Sequence, residues 1–203
     1  MNRRSLSRAL LVAPLVLGGC SILPERPNVP VRRYALSPRR PATAVASSRA
    51  PVLLLRRVRA VPGLQDLGLR RLRPDGAYEF LPYEEWIAPP ADLADAALFA
   101  WLQSSGLFAG VVQAGTRADA ALVMEPQLTV LETVPAAGEA RAAIGTVLLR
   151  EERLSSRVVT TLSVGGTAPL PAGATPPQMV LAMEAALGAA FARLESALAP
   201  HLG

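Results

Sequence analysis

The chain has no lysine, a single cysteine (Cys20) and a single histidine (His201) in 203 residues. All 21 basic side chains are therefore arginine, which together with heavy use of Ala, Pro and Gly reflects a GC-rich coding sequence. Arginine count is thus a poor guide to function. One cysteine cannot close an internal disulfide. One histidine, close to the C-terminus where chains fray, argues against Ser-His-Asp or Cys-His catalysis and against a histidine-rich metal centre. Charged residues are only 18% of the chain, but the hydrophobic fraction is 51%, so the bulk is globular rather than disordered. The length suits one domain, or one domain plus a tether.

The charge balance turns on the N-terminus. Arg3, Arg4 and Arg8 precede all 16 acidic residues, so 18 arginines remain against 16 acids and the rest of the chain carries +2. That does not support a nucleic-acid partner. The same three arginines lead into an apolar run over 9–17 that is too short to span a bilayer as a helix. Leu17-Gly18-Gly19-Cys20 follows, and it resembles the lipobox read by lipoprotein signal peptidase. Small residues let the extended backbone enter a protease cleft, and the thiol is the atom that takes the diacylglyceryl group. The alternative for Cys20 is a buried free thiol. The order of basic, apolar and lipobox segments favours a signal over 1–19 and lipidation at Cys20. Two or more acyl chains make such anchoring stable. Ser21, rather than Asp, follows the cysteine, which favours an outer-membrane destination facing the periplasm.

Pro24, Pro27 and Pro30 make 20–32 an extended tether, leaving one domain over 33–203. Arg33-Tyr34-Ala35-Leu36 reads as a short strand and 39–51 as a loop. The run 52–61 reads as a single strand, with Val52, Leu54, Val58 and Ala60 on one face and Leu53, Leu55, Arg57, Arg59 and Val61 on the other. Asp75-Gly76 between 69–72 and 78–81 is a hairpin signal, because Asp-Gly tolerates the positive φ of tight turns. Pro89-Pro90 closes this region and opens a helix over 91–104, with Asp92 in its first turn and Gly106 just past its end.

Strands are expected over 107–112, 121–134, 140–150 and 157–164, with Pro126 implying an edge position or a bulge. Thr175-Pro176-Pro177-Gln178 offers a capping box ahead of Val180, Met183, Leu187, Phe191, Leu194 and Leu198 at helical spacing. The expected fold is α+β: a largely antiparallel β-sheet with two main α-helices packed on one face.

Tyr83-x-x-Trp86-x-x-Pro89-Pro90, followed by an Ala/Leu-rich helix ending in Ser105-Gly106-Leu107-Phe108, resembles the ABC-type transport auxiliary lipoprotein family. Tyr34-Ala35-Leu36-Ser37-Pro38, Val58-Arg59-Ala60-Val61-Pro62-Gly63-Leu64 and Ala118-Asp119-Ala120 stand in the order that family shows. The resemblance covers roughly 33–198. It departs at 150–157, where many relatives carry a glycine turn and this chain has none. It implies an accessory role in moving lipids between inner and outer membranes, beside an ATPase, a permease and an Mce-domain protein.

The candidate contact residues are few. Trp86 and Trp101 either line a groove for a lipid or partner or belong to the core. Arg56, Arg57, Arg59, Arg70, Arg71 and Arg73 either meet anionic headgroups or an acidic partner, or form a solvated surface. Glu84 and Glu85 are adjacent, which in a strand puts them on opposite faces and argues against paired acid/base work. They read as solvated charges beside a buried Trp86. No catalytic residue, metal ligand or cofactor is expected. The leading expectation is a non-enzymatic module docking a lipid conduit at the outer membrane. The alternative is a periplasmic carrier holding an acyl chain or sterol-like molecule in its own domain; phospholipid is a further candidate partner of the protein. A hydrolase would need a nucleophile with a base beside it, and the sequence offers none.

Overall fold

The helix that begins at the Thr175 cap anchors a computed structural model that describes residues 29–116, 118–152 and 155–202. In chain order the elements are β1 (Arg32–Tyr34), β2 (Val52–Leu55), β3 (Arg59–Ala60), β4 (Gly68–Leu72), β5 (Tyr78–Trp86) and α1 (Pro90–Gln103). β6 (Gly110–Gln113), β7 (Leu122–Val134), β8 (Glu139–Glu151), β9 (Ser156–Pro169) and α2 (Pro176–Leu198) follow. The proposed signal and most of the tether, with Cys20, lie outside the described residues.

The fold is α+β, but the sheet is mixed rather than largely antiparallel. Hairpins join β4 to β5, β7 to β8 and β8 to β9 in antiparallel register. β1 on β5, β2 on β6, and β2, β3 and β4 on β7 are all parallel pairs. The physical reason lies in the connections. Parallel partners need long crossovers, and the chain between β2 and β7 runs through a hairpin and α1, so no tight turn forces it to reverse. β7 is the central strand, with β8 along one edge and β2, β3 and β4 in succession along the other.

Leu53, Leu55, Met124, Leu128, Ile144 and Leu148 share one face by register and are buried. α2 packs on β8 and β9, and α1 packs on β3, β6, β7 and α2. The helices meet where the Trp101 and Phe191 rings stand edge to face, 5.6 Å between centroids. The whole expected stripe of α2 is buried. Its start is held as the sequence predicts: the Thr175 amide donates to Gln178 Oε1 at 2.9 Å, with Pro176 at the first helical position. α2 passes so close to β9 that a Cβ on Gly166 would overlap backbone atoms of Ala186 and Ala190.

The expected single strand over 52–61 is broken into β2 and β3. Leu53 and Leu55 point into the core, and after the break so does Val58, so the chain shifts its inward side by one residue. The break is matched across the sheet. Backbone amides of Arg56 and Val61 donate to the Met124 and Leu128 carbonyls, so the even residues of β7 face this edge. Pro126, which has no amide to give, faces the gap between β2 and β3. It therefore sits in the central strand, away from any sheet edge. The bulge in β7 lies further on, between Leu128 and Val130. The orphan amide of Val58 donates to the carboxylate of Asp95 on α1 at 2.9 Å.

Candidate functional site

Within β5, Pro82 cannot donate a ladder hydrogen bond, and the strand yields there. Phe80 lies opposite Arg70, but the next partners are Glu85 and Gly68, so 81–84 form a bulge facing Leu69. Tyr83 takes φ 61°, the only described non-glycine residue with positive φ. A bulky side chain in that conformation is strained, and such strain concentrates where a structure presents a side chain for use. Tyr83 is 52% exposed, Phe80 41% and Ile87 61%.

After the bulge, Glu84 and Trp86 turn inward while Glu85 and Ile87 turn outward. Trp86 is 1% exposed, so it is a core residue that lines no groove. Glu84 is likewise buried rather than solvated. It accepts from the Tyr34 hydroxyl at 2.7 Å and pairs with Arg32. Burial, and then the bond to Glu84, push the Tyr34 hydroxyl pKa up, and the same carboxylate raises that of Arg32. Glu85 pairs with Arg33 at 3.4 Å on the opposite face. The ring of Phe80 lies over Gly68, where a Cβ would stand only 3.0 Å from it. Pro89 and Pro90 then set the first turn of α1. The motif Tyr83-x-x-Trp86-x-x-Pro89-Pro90 is thus one unit: a buried anchor and a helix start that hold a strained tyrosine out to solvent.

The arginines separate into two groups. Arg56, Arg57 and Arg59 line one open cavity of about 380 Å³ with Ala114 and Glu125, beside the break between β2 and β3. Arg56 pairs with Glu125 at 3.7 Å and Arg57 with Asp92 at 3.2 Å. Arg70 is not a contact residue. It is 7% exposed, donates to buried Glu132 at 2.7 Å, and lies 4.2 Å from the Tyr78 ring centroid. A guanidinium so placed is held by a low-dielectric pair and a ring face, and is too deeply buried to meet a headgroup. Arg71 pairs with Glu79 and Arg73 with Asp75 near the hairpin tip.

Trp101 is mostly buried, but its edge borders a depression of about 430 Å³ beside Pro38, Leu181 and Gly188. Its indole N–H donates to Glu195 Oε2 at 2.9 Å. Arg40 grips both oxygens of the same carboxylate at 2.9 Å. The Arg40 guanidinium, ahead of the Trp101 bond, holds the Glu195 carboxyl below its ordinary value, burial opposing. This ties the irregular segment after β1 across the two helices.

Sequence reasoning missed Tyr83 as a strained, displayed side chain, and missed Phe80 and Ile87 as exposed. Pro82 inside an otherwise strand-like run was the available signal. Asp95, buried under the strand break, had none, since only the fold brings it to Val58.

No protein-family model matches the chain, and no curated protein matches it. Solved structures do share its fold. A Xanthomonas campestris protein described by the family model DUF330 superposes with TM-score 0.67 at 19% identity, covering 84% of this chain and 95% of that one. A second structure, of an uncharacterized protein, superposes with TM-score 0.58 at 14% identity over 84% of this chain and 97% of that one. At such identities the likeness is one of fold.

Proposed function

We propose that this chain is a non-enzymatic lipoprotein, anchored through Cys20 to the outer membrane, that serves an ABC/Mce-type intermembrane lipid transport system as its auxiliary docking component. One observation supports it above the rest. The motif behind the family resemblance builds a display device, with Trp86 and Pro89-Pro90 fixing the backbone so that Tyr83 stands exposed at a positive φ. A recognition module needs rigidly presented side chains of this kind, and Tyr is well suited to interfaces because its body is apolar and its tip polar. The space between sheet and helices is filled by Met124, Leu128, Ile144, Met183, Leu187 and Phe191, all fully buried, which supports docking over internal carriage of an acyl chain.

The test is in-cell photo-crosslinking from positions 80, 83 and 87, with mass spectrometry of what is captured. Capture of an Mce-domain protein is expected. Recovery of no Mce-type, permease or ATPase component from any of the three positions overturns the reading.

A further inference from the structure

The break between β2 and β3 also decides where three arginines point. Leu55 and Val58 are both buried, so the two residues between them, Arg56 and Arg57, turn outward together, and Arg59 follows on the same side. On an unbroken strand Arg56 would face away from Arg57 and Arg59. Here all three border the hollow of about 380 Å³, with Ala114 and Glu125. Other arginines of the domain are closed into tight pairs: Arg40 takes both oxygens of Glu195 at 2.9 Å, and Arg70 holds buried Glu132 at 2.7 Å. Those of the hollow are not. Arg56 stands 3.7 Å from Glu125, beyond hydrogen-bond length. Arg57 makes one bond of 3.2 Å to Asp92 between exposed side chains, and such a pair holds weakly. Arg59 has no carboxylate partner among the described residues.

We propose that this hollow binds a phosphomonoester. A guanidinium presents its N–H donors in a planar fork that matches phosphate oxygens in pairs. With so few donors engaged, three such forks offer more than the two oxygens of a carboxylate can accept, whereas a terminal phosphate presents three strong acceptors. The charge agrees. Among the lining residues three cations stand against one carboxylate, and Asp92 is not among them. That excess suits the charge of about −1.5 to −2 on a phosphomonoester at pH 7 better than the single charge of a diester. The hollow is also separate from the face of Tyr83. Glu125 lies near the start of β7, and β4, which carries β5, meets β7 at Thr133. Roughly 25 Å of strand lies between them, so a ligand here leaves Phe80, Tyr83 and Ile87 open to a protein partner.

A phosphomonoester can come from a phosphatidic acid headgroup or from a soluble ester. The test is titration calorimetry of the full chain in detergent micelles, with empty micelles as the blank. The probes are glycerol 3-phosphate, dihexanoyl phosphatidic acid and dihexanoyl phosphatidylglycerol. Saturable one-to-one binding of glycerol 3-phosphate is expected, weakened roughly tenfold in Arg57→Gln/Arg59→Gln. Arg33→Gln/Arg73→Gln, which removes the same charge elsewhere, leaves it unchanged. Tighter binding of phosphatidic acid than of glycerol 3-phosphate identifies the lipid as the source, and equal binding identifies the soluble ester; both support the site. Phosphatidylglycerol, a diester, binding as tightly as phosphatidic acid overturns the proposal. So does the absence of saturable binding, or equal weakening in the two double variants. Should Arg57→Gln/Arg59→Gln not fold, Glu125→Gln decides: removal of the one lining carboxylate tightens binding, and unchanged or weaker binding overturns the proposal.

Discussion

The carboxylate of Asp95 on α1 accepts a hydrogen bond from the Val58 amide at 2.9 Å, while its other oxygen accepts from the Gln113 side chain at 3.2 Å. One buried side chain thus satisfies the strand break and ties β3 and the end of β6 to the helix. Asp95→Ala leaves the Val58 amide buried without a partner, and a loss of about 1–3 kcal/mol is expected. Asp95→Asn, which keeps one acceptor oxygen, costs less. Urea denaturation of both variants checks this; equal stability of Asp95→Ala and the parent would remove Asp95 from this role.

Tyr83 gives a prediction of opposite sign. A left-handed residue with a side chain costs about 1–2 kcal/mol, so Tyr83→Gly is expected to hold or raise the midpoint of thermal unfolding while weakening the contacts of that face. Tyr83→Val, β-branched in the same conformation, lowers the midpoint. The comparison of the two midpoints is the measurement, and a more stable Val variant would refute the strain.

Gly166 is required by close approach. A methyl group there overlaps the α2 backbone at Ala186 and Ala190, and backbone cannot rotate away as a side chain does, so Gly166→Ala is expected to cost about 3 kcal/mol or more. Gly145→Ala in β8 is the control, its nearest neighbours lying 3.9 Å from the added carbon. Chemical denaturation should separate the two variants clearly.

Glu195 predicts a pH dependence. Its folded pKa lies below its ordinary 4.5 because the Arg40 guanidinium bonds the ionised form. The stabilisation is therefore complete above about pH 4.5 and lost as pH falls through the lowered folded value. Glu195→Gln should flatten this part of the acid side of the stability curve. Denaturation midpoints across the acid range, parent against variant, give the answer; parallel curves would mean that Glu195 does not contribute.

Local rules account for what could be read in advance. The α2 helix, its cap and its buried stripe follow from Thr175-Pro176-Pro177-Gln178 and helical spacing, and the β4–β5 turn follows from Asp75-Gly76, where Gly76 has φ 83°. Each depends on residues within a few positions of one another. Arg70 and Glu84 could not be placed in this way. As isolated residues both read as solvated charges, yet one is buried against Glu132 and the other against Tyr34 and Arg32. These partners lie 62 and 50–52 positions away, and local pattern carries no information at that range.

The sequence by itself determined the α+β composition, the helix that closes the domain and the hairpin at Asp75-Gly76, because propensity, capping and turn conformation are short-range physics. Only the tertiary structure decided that the sheet is mixed, that Pro126 stands in its centre opposite a broken neighbour, and that Tyr83 is displayed beside the entry of the chain. The direction in which a strand meets a distant partner depends on how the intervening chain crosses over the core, and that is settled by packing all the elements together.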